Sequence, residues 1–125
     1  MEKEGYVTMW AGNFNSKEEL LNYFAFSYSE DGDAFPSKFE EDFKIGYFDE
    51  DFKEVWYLER AQTRLPVLLA GCSYEEVVIP RFMQTQGDTL DSSVNSIILL
   101  YNFQYTERIK DYSKVVRFVG TVRYK

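Results

Sequence analysis

The run Asn95–Tyr105 (NSIILLYNFQY) constrains this chain more than any other stretch, because it reads as a buried strand and as nothing else. On a period of two, Ile97, Leu99, Tyr101, Phe103 and Tyr105 share one face of a sheet. The alternate positions change from Ile98 and Leu100 to Asn102 and Gln104, so the second face is expected to be covered only over its first half. Val115–Tyr124 (VVRFVGTVRY) supplies a half-buried partner, with Val116, Phe118, Val122 and Tyr124 on one face and Arg117, Thr121 and Arg123 on the other. Gly120 breaks that apolar row and reads as a gap across which a large ring of the neighbouring strand lies. Tyr6–Ala11 alternates in the same way and makes a third strand, ended by Gly12-Asn13.

Three serines stand three residues ahead of a glutamate: Ser16 and Glu19, Ser37 and Glu40, Ser73 and Glu76. Each pair is the signature of a capping box, in which hydroxyl and carboxylate satisfy each other's backbone amides, so each is expected to open a helix. The first buries Leu20, Leu21, Tyr23, Phe24 and Tyr28. The second, Lys38–Lys44, turns Phe39 and Phe43 inward and Glu40, Glu41 and Asp42 outward. The third runs to about Ile79, where Pro80 ends or kinks it. Leu65–Ala70 is a further short helix with Pro66 in its first turn. Asp49–Leu58 (DEDFKEVWYL) fits both periods, helix being the favoured reading, and Gln84–Ser93 is a polar connection. The expected fold is α+β: an antiparallel sheet of an N-terminal strand and a long C-terminal hairpin, with several short helices packed on one face. A length of 125 residues suits a single domain over 1–125.

Charge divides the chain unevenly. Residues 1–59 hold fifteen Asp/Glu against five Lys/Arg, whereas residues 60–125 hold six against nine, within a formal net charge of −7. An acidic half of this kind is repelled by phosphate backbones, so direct nucleic-acid binding is not expected. No apolar run reaches the length of a membrane span or a secretory signal, and the expected location is the cytoplasm. Cys72 stands alone, and there is no histidine, which removes an internal disulfide, zinc sites of the usual ligand sets and Ser–His–Asp triads. A buried small apolar residue is the favoured reading of Cys72, and core is the favoured reading of Trp10 and Trp56.

Two carboxylate clusters remain, Glu30/Asp31/Asp33 and Asp49/Glu50/Asp51. Converging carboxylates can hold Mg²⁺ or Ca²⁺, but Phe35 and Pro36 fall where an EF-hand loop needs further ligands, so both clusters are read as solvated, with no metal and no cofactor. A carboxylate-dependent hydrolase would need a raised pKa in a cleft, and no catalytic residue is identified. An intracellular protein-interaction adaptor fits the same features.

Trp10–Leu20 (WAGNFNSKEEL), Tyr28–Asp33 (YSEDGD), Ser37 with Phe39, Asp42 and Phe43, Tyr47–Phe52 (YFDEDF), Gly71–Tyr74 (GCSY), Asn95–Tyr101 (NSIILLY) and Gly120–Tyr124 (GTVRY) follow one another in an order that resembles the bacterial immunity protein family numbered twenty-two in polymorphic toxin systems. Cys72 departs from the plainer small apolar residue expected before Ser73-Tyr74, which concerns local packing only. The resemblance implies a small, cytoplasmic, non-catalytic protein that binds and neutralises a toxin domain. Many such toxins act on nucleic acid through basic clefts, so a basic nuclease is one candidate partner, and an acidic surface complements it. Oligomeric state is left open. The expected contacts are Glu30, Asp31 and Asp33 with Asp49, Glu50 and Asp51, and the aromatic neighbours Phe35, Tyr47 and Phe48 form the desolvated centre.

Overall fold

A computed structural model describes residues 1–46, 48–105 and 116–125. In chain order the elements are β1 (Glu2–Gly12), α1 (Lys17–Tyr23), β2 (Ser27–Tyr28), β3 (Ala34–Phe35), α2 (Lys38–Phe43), a 3₁₀ turn (Glu50–Phe52), β4 (Lys53–Arg64), α3 (Leu65–Leu68), α4 (Glu75–Gln86), β5 (Thr89–Phe103) and β6 (Val116–Arg123). The main sheet runs β4-β5-β1-β6 with every pair antiparallel, and β2 and β3 form a separate two-stranded ribbon. The α+β class therefore holds, as does a sheet built from the N-terminal strand and the two C-terminal ones.

Their order differs from a simple hairpin, because β1 lies between β5 and β6. Met9 stands opposite Leu99 on one side and Gly120 on the other. Val7, Thr8, Met9, Trp10 and Ala11 are all wholly inaccessible, which suits a strand enclosed on both edges and both faces. Val115, the first residue of the expected last strand, lies outside the described residues.

Helices cover both faces rather than one. Val7, Met9, Ile97, Leu99 and Tyr101 pack with Leu65 and Leu68 of α3 and with Val78 and Phe82 of α4. On the opposite face Trp10, Ile98 and Leu100 pack with Leu20 and Tyr23 of α1 and with Phe39 and Phe43 of α2. Ile98 and Leu100 need that second cover. Beyond them the alternation of β5 breaks at Asn102, whose φ of 56° turns Phe103 and Tyr105 to the second face instead of leaving it open. The same shift sets β1 apart from β5: Val7 faces Tyr101 and Glu2 faces Phe103, so Lys3–Tyr6 bulge against Asn102 alone. The Asn102 carboxamide oxygen secures the bulge by accepting from the Gly5 amide at 3.0 Å and from the Tyr124 hydroxyl at 2.6 Å. A second irregularity leaves Val119 unpaired between Phe118 and Gly120, and so divides β6: Val116 and Phe118 join the α1/α2 side, Val122 and Tyr124 the α3/α4 side. The gap at Gly120 is filled by α4, since a Cβ there would stand 3.0 Å from Gln86 Nε2 and 3.9 Å from Phe82 Cε1.

Asp49–Leu58 is a 3₁₀ turn followed by strand, not the helix that one of its two periods suggested. The open edge of β5 decides between them, because Val55 and Tyr57 pair with Ile98 and Ser96 there. Two of the three serine caps form as expected. Ser37 accepts from the Glu40 amide at 3.3 Å while Glu40 accepts from the Ser37 amide at 3.1 Å, and Ser16 accepts from the Glu19 amide at 3.1 Å. The third does not: α4 starts at Tyr74 in the left-handed region without a side-chain cap. Ser73 is claimed by the sheet instead, its amide and hydroxyl by Glu54 and its carbonyl by the Tyr101 hydroxyl at 2.6 Å. α4 also continues through Pro80 to Gln86, held by Val78 and Phe82, both inaccessible. The Gln84–Ser93 connection is accordingly the end of α4 and the start of β5. Leu21 lies on the solvent side of α1 and Tyr28 beyond its end at Tyr23, so both are exposed, whereas Glu40 and Asp42 turn inward. Asp42 accepts from the Tyr23 hydroxyl at 2.8 Å and pairs with Lys38 at 2.9 Å.

Candidate partner-binding surface

The acidic run after Gly46 is shaped by its own first carboxylate. Asp49 Oδ1 accepts from the Asp51 amide at 2.9 Å and caps the 3₁₀ turn, as a short acidic side chain does at such a position. Glu50, Asp51 and the Phe52 ring are thereby left exposed, and Glu50 reaches Lys53 only at 3.8 Å. The ribbon of β2 and β3 is turned by Ser29, whose amide donates to the Asp33 carbonyl at 2.9 Å and whose hydroxyl accepts from the Asp33 amide at 3.1 Å. Glu30, Asp31 and Asp33 stand exposed on its tip, and Phe35, 49% exposed, sits at its base.

Phe35 meets Asp49 and Glu50 across an open depression floored by Phe26, Ile45 and Phe48. One cluster of acidic residues is thus joined to an aromatic one from a different part of the chain, while Glu30, Asp31 and Asp33 lie apart from that depression. Phe48 is 6% exposed and belongs to the core beside Phe39, with ring centroids 5.8 Å apart. Tyr47 lies outside the described residues. Among the described residues Phe26, Tyr28 and Phe52 are exposed rings on this side as well as Phe35. Phe52 escaped the sequence reading because its spacing to Val55 and Trp56 fits the apolar stripe of a helix, and Phe26, between Ala25 and Ser27, carries no local signal of exposure.

Two further depressions continue the surface past the 3₁₀ turn. The nearer is bounded by Glu2, Glu4, Asp49 and Phe52. The farther lies among Glu54, Ser73, Tyr74, Tyr101, Tyr124 and Lys125. In that last region ionisation is displaced toward the neutral forms. Burial pushes the Cys72 thiol up to about 11 and raises the Tyr101 phenol strongly, and burial also raises Tyr124. An activated nucleophile needs the opposite displacement, so these groups suit packing and hydrogen bonding rather than attack on a substrate. Cys72 is a buried thiol, as its lack of a partner suggested.

Among the described residues no group of three or more His, Cys, Asp or Glu is placed to hold a metal ion. The melting temperature is expected to stay the same in EDTA and in millimolar Mg²⁺ or Ca²⁺, apart from the change that ionic strength alone produces. A saturable rise with one ion in a thermal scan would show that the carboxylates converge on it.

Among the described residues no helix is long and apolar enough to cross a membrane. Comparison with models of protein families matches residues 7–125 to the family described as Immunity protein 22. No curated protein and no solved structure matches the chain.

Proposed function

From the premise that this chain belongs to the Immunity protein 22 family, we propose that it binds the toxin domain of a bacterial polymorphic toxin system and neutralises it by covering its surface, without catalysis. The observation that carries this reading to a place on the molecule is the depression where exposed Phe35 faces Asp49 and Glu50. Aromatic side chains supply the desolvated centre of an interface, and carboxylates around it attract a basic partner and set its approach. A toxin domain with a cationic cleft, such as a nuclease, is the partner this surface complements. Asp49, Glu50, Asp51 and Phe35 form the centre of contact in this reading, Phe48 supports its floor, and Glu30, Asp31 and Asp33 act at the rim. Binding takes place in the cytoplasm, where an incoming toxin reaches its target.

The test is co-expression with the toxin domain encoded beside the gene. The domain should arrest growth alone, the chain should restore it, and the two should be recovered together from the lysate. Arrest that persists at full expression of the chain, with no complex recovered, rejects the reading and leaves the adaptor alternative.

A further inference from the structure

We propose that the depression bounded by Glu2, Glu4, Asp49 and Phe52 is an anchor pocket for one arginine side chain of the bound partner. The proposal rests on the immunity reading for the identity of that partner, and on the pocket alone for its chemistry. The bulge at Asn102 shapes the pocket, because Glu2 still pairs with Phe103 while Lys3–Tyr6 bulge against Asn102 alone, which sets Glu2 and Glu4 beside the 3₁₀ turn.

The floor is apolar and firm: Leu100 and Phe103 are 1% and 3% exposed. Phe52, 43% exposed, is the one wall that reaches solvent as a ring. The mouth is anionic. Glu2 and Glu4 are both exposed and lie two apart on the strand, while Lys3 between them is drawn over the Tyr6 ring at 4.7 Å. Among the described residues neither glutamate makes an ion pair, and no lysine or arginine lines the cavity. Its volume of about 190 Å³ is below the roughly 300–1,000 Å³ of small-molecule sites, so it suits a single side chain. Arginine is the side chain that joins an apolar stem to a weakly hydrated planar cation able to lie on a ring and pair with carboxylates. Phe48 and Asp49 border both this cavity and the Phe35 depression, so a partner seated in the latter brings its side chains to the mouth of the former.

Two experiments keep the pocket and the immunity reading separate. In the first, Nα-acetyl-arginine amide is titrated into the isolated protein and followed by amide NMR, with the neutral citrulline analogue as control. Saturable shifts centred on Gly5, Phe52 and Asn102 are expected with arginine and not with citrulline. The double variant Glu2→Gln/Glu4→Gln should weaken them about fivefold, the change that the loss of an exposed charge pair brings. Equal response to both probes, or shifts that the double variant leaves unchanged, overturns the pocket. In the second, the same variant is bound to the toxin domain captured by the wild type, and its complex should dissociate about fivefold faster. Unchanged dissociation overturns the pocket while the immunity reading stands. Failure to capture the toxin, with the arginine titration positive, rejects the immunity reading and leaves the pocket in place.

Discussion

Replacing Trp10 by alanine should cost about 3–5 kcal/mol, the range for a large aromatic removed from a closed core, against a total stability of about 5–15 kcal/mol. The indole is wholly inaccessible and meets five rings, those of Phe39, Tyr105, Phe43, Phe118 and Phe103, with centroids between 5.0 and 6.2 Å away. Its contacts with Phe39, Phe43 and Tyr105 are edge-on, the arrangement worth more than the buried area alone. Trp56 offers the comparison. It is half-buried on the edge strand β4, and alanine there should cost less than about 2 kcal/mol. Urea unfolding of both variants decides the matter, with a large fall in midpoint for the first, a small one for the second and the slope preserved in each. Equal midpoints would mean that the α1/α2 side of the sheet is not packed around Trp10.

Charge reversal at the 3₁₀ turn should slow association with the toxin domain on the order of tenfold or more at low salt. The variant that isolates charge from folding is Asp49→Asn with Glu50→Lys and Asp51→Lys, because asparagine can still accept from the Asp51 amide that Asp49 now caps. Glu50 and Asp51 are exposed, so their replacement should leave the thermal midpoint nearly unchanged. The difference in rate should shrink as ionic strength rises and the Debye length falls to about 8 Å near 0.15 M. Stopped-flow measurement across a salt series gives the answer. A rate equal to wild type at the lowest salt would move the interface away from this turn, with Glu30, Asp31 and Asp33 on the ribbon tip as the next residues to reverse.

Much of the fold was legible because local chemistry and tertiary packing agree there. Ser16 and Ser37 cap as their spacing demands, the apolar runs of β1 and β5 become buried strands, and β6 is the half-buried partner its pattern describes. What could not be read locally was decided by competition from elsewhere in the chain. Glu54 takes the Ser73 amide that a capping box would have used, and the unpaired edge of β5 draws Val55 and Tyr57 into a strand. Period-two reading also assumes an unbroken strand. The positive φ at Asn102 and the unpaired Val119 each pass one apolar row from one face to the other. Gly5, in a stretch otherwise suited to a strand, was the available signal for the first of these. At the candidate surface the Asp49–Asp51 cluster was visible as composition. Its neighbours Glu2 and Glu4 were not, because only the bulge brings the start of β1 to that turn.

The central place of β1 also sets the timing of assembly. Among the described elements β1 precedes all others, and both of its neighbours in the sheet, β5 and β6, come after them. At about 5–20 residues per second, synthesis from Gly12 to Thr89 lasts roughly 4–15 s. Throughout that interval the apolar residues of β1 have no strand to pair with. Contacts this distant in sequence delay closure of the core and place folding in the slower range for a chain of this size. Competence therefore arrives with the final strand rather than growing with chain length, and a chain that ends before β6 leaves its oldest strand with an open edge.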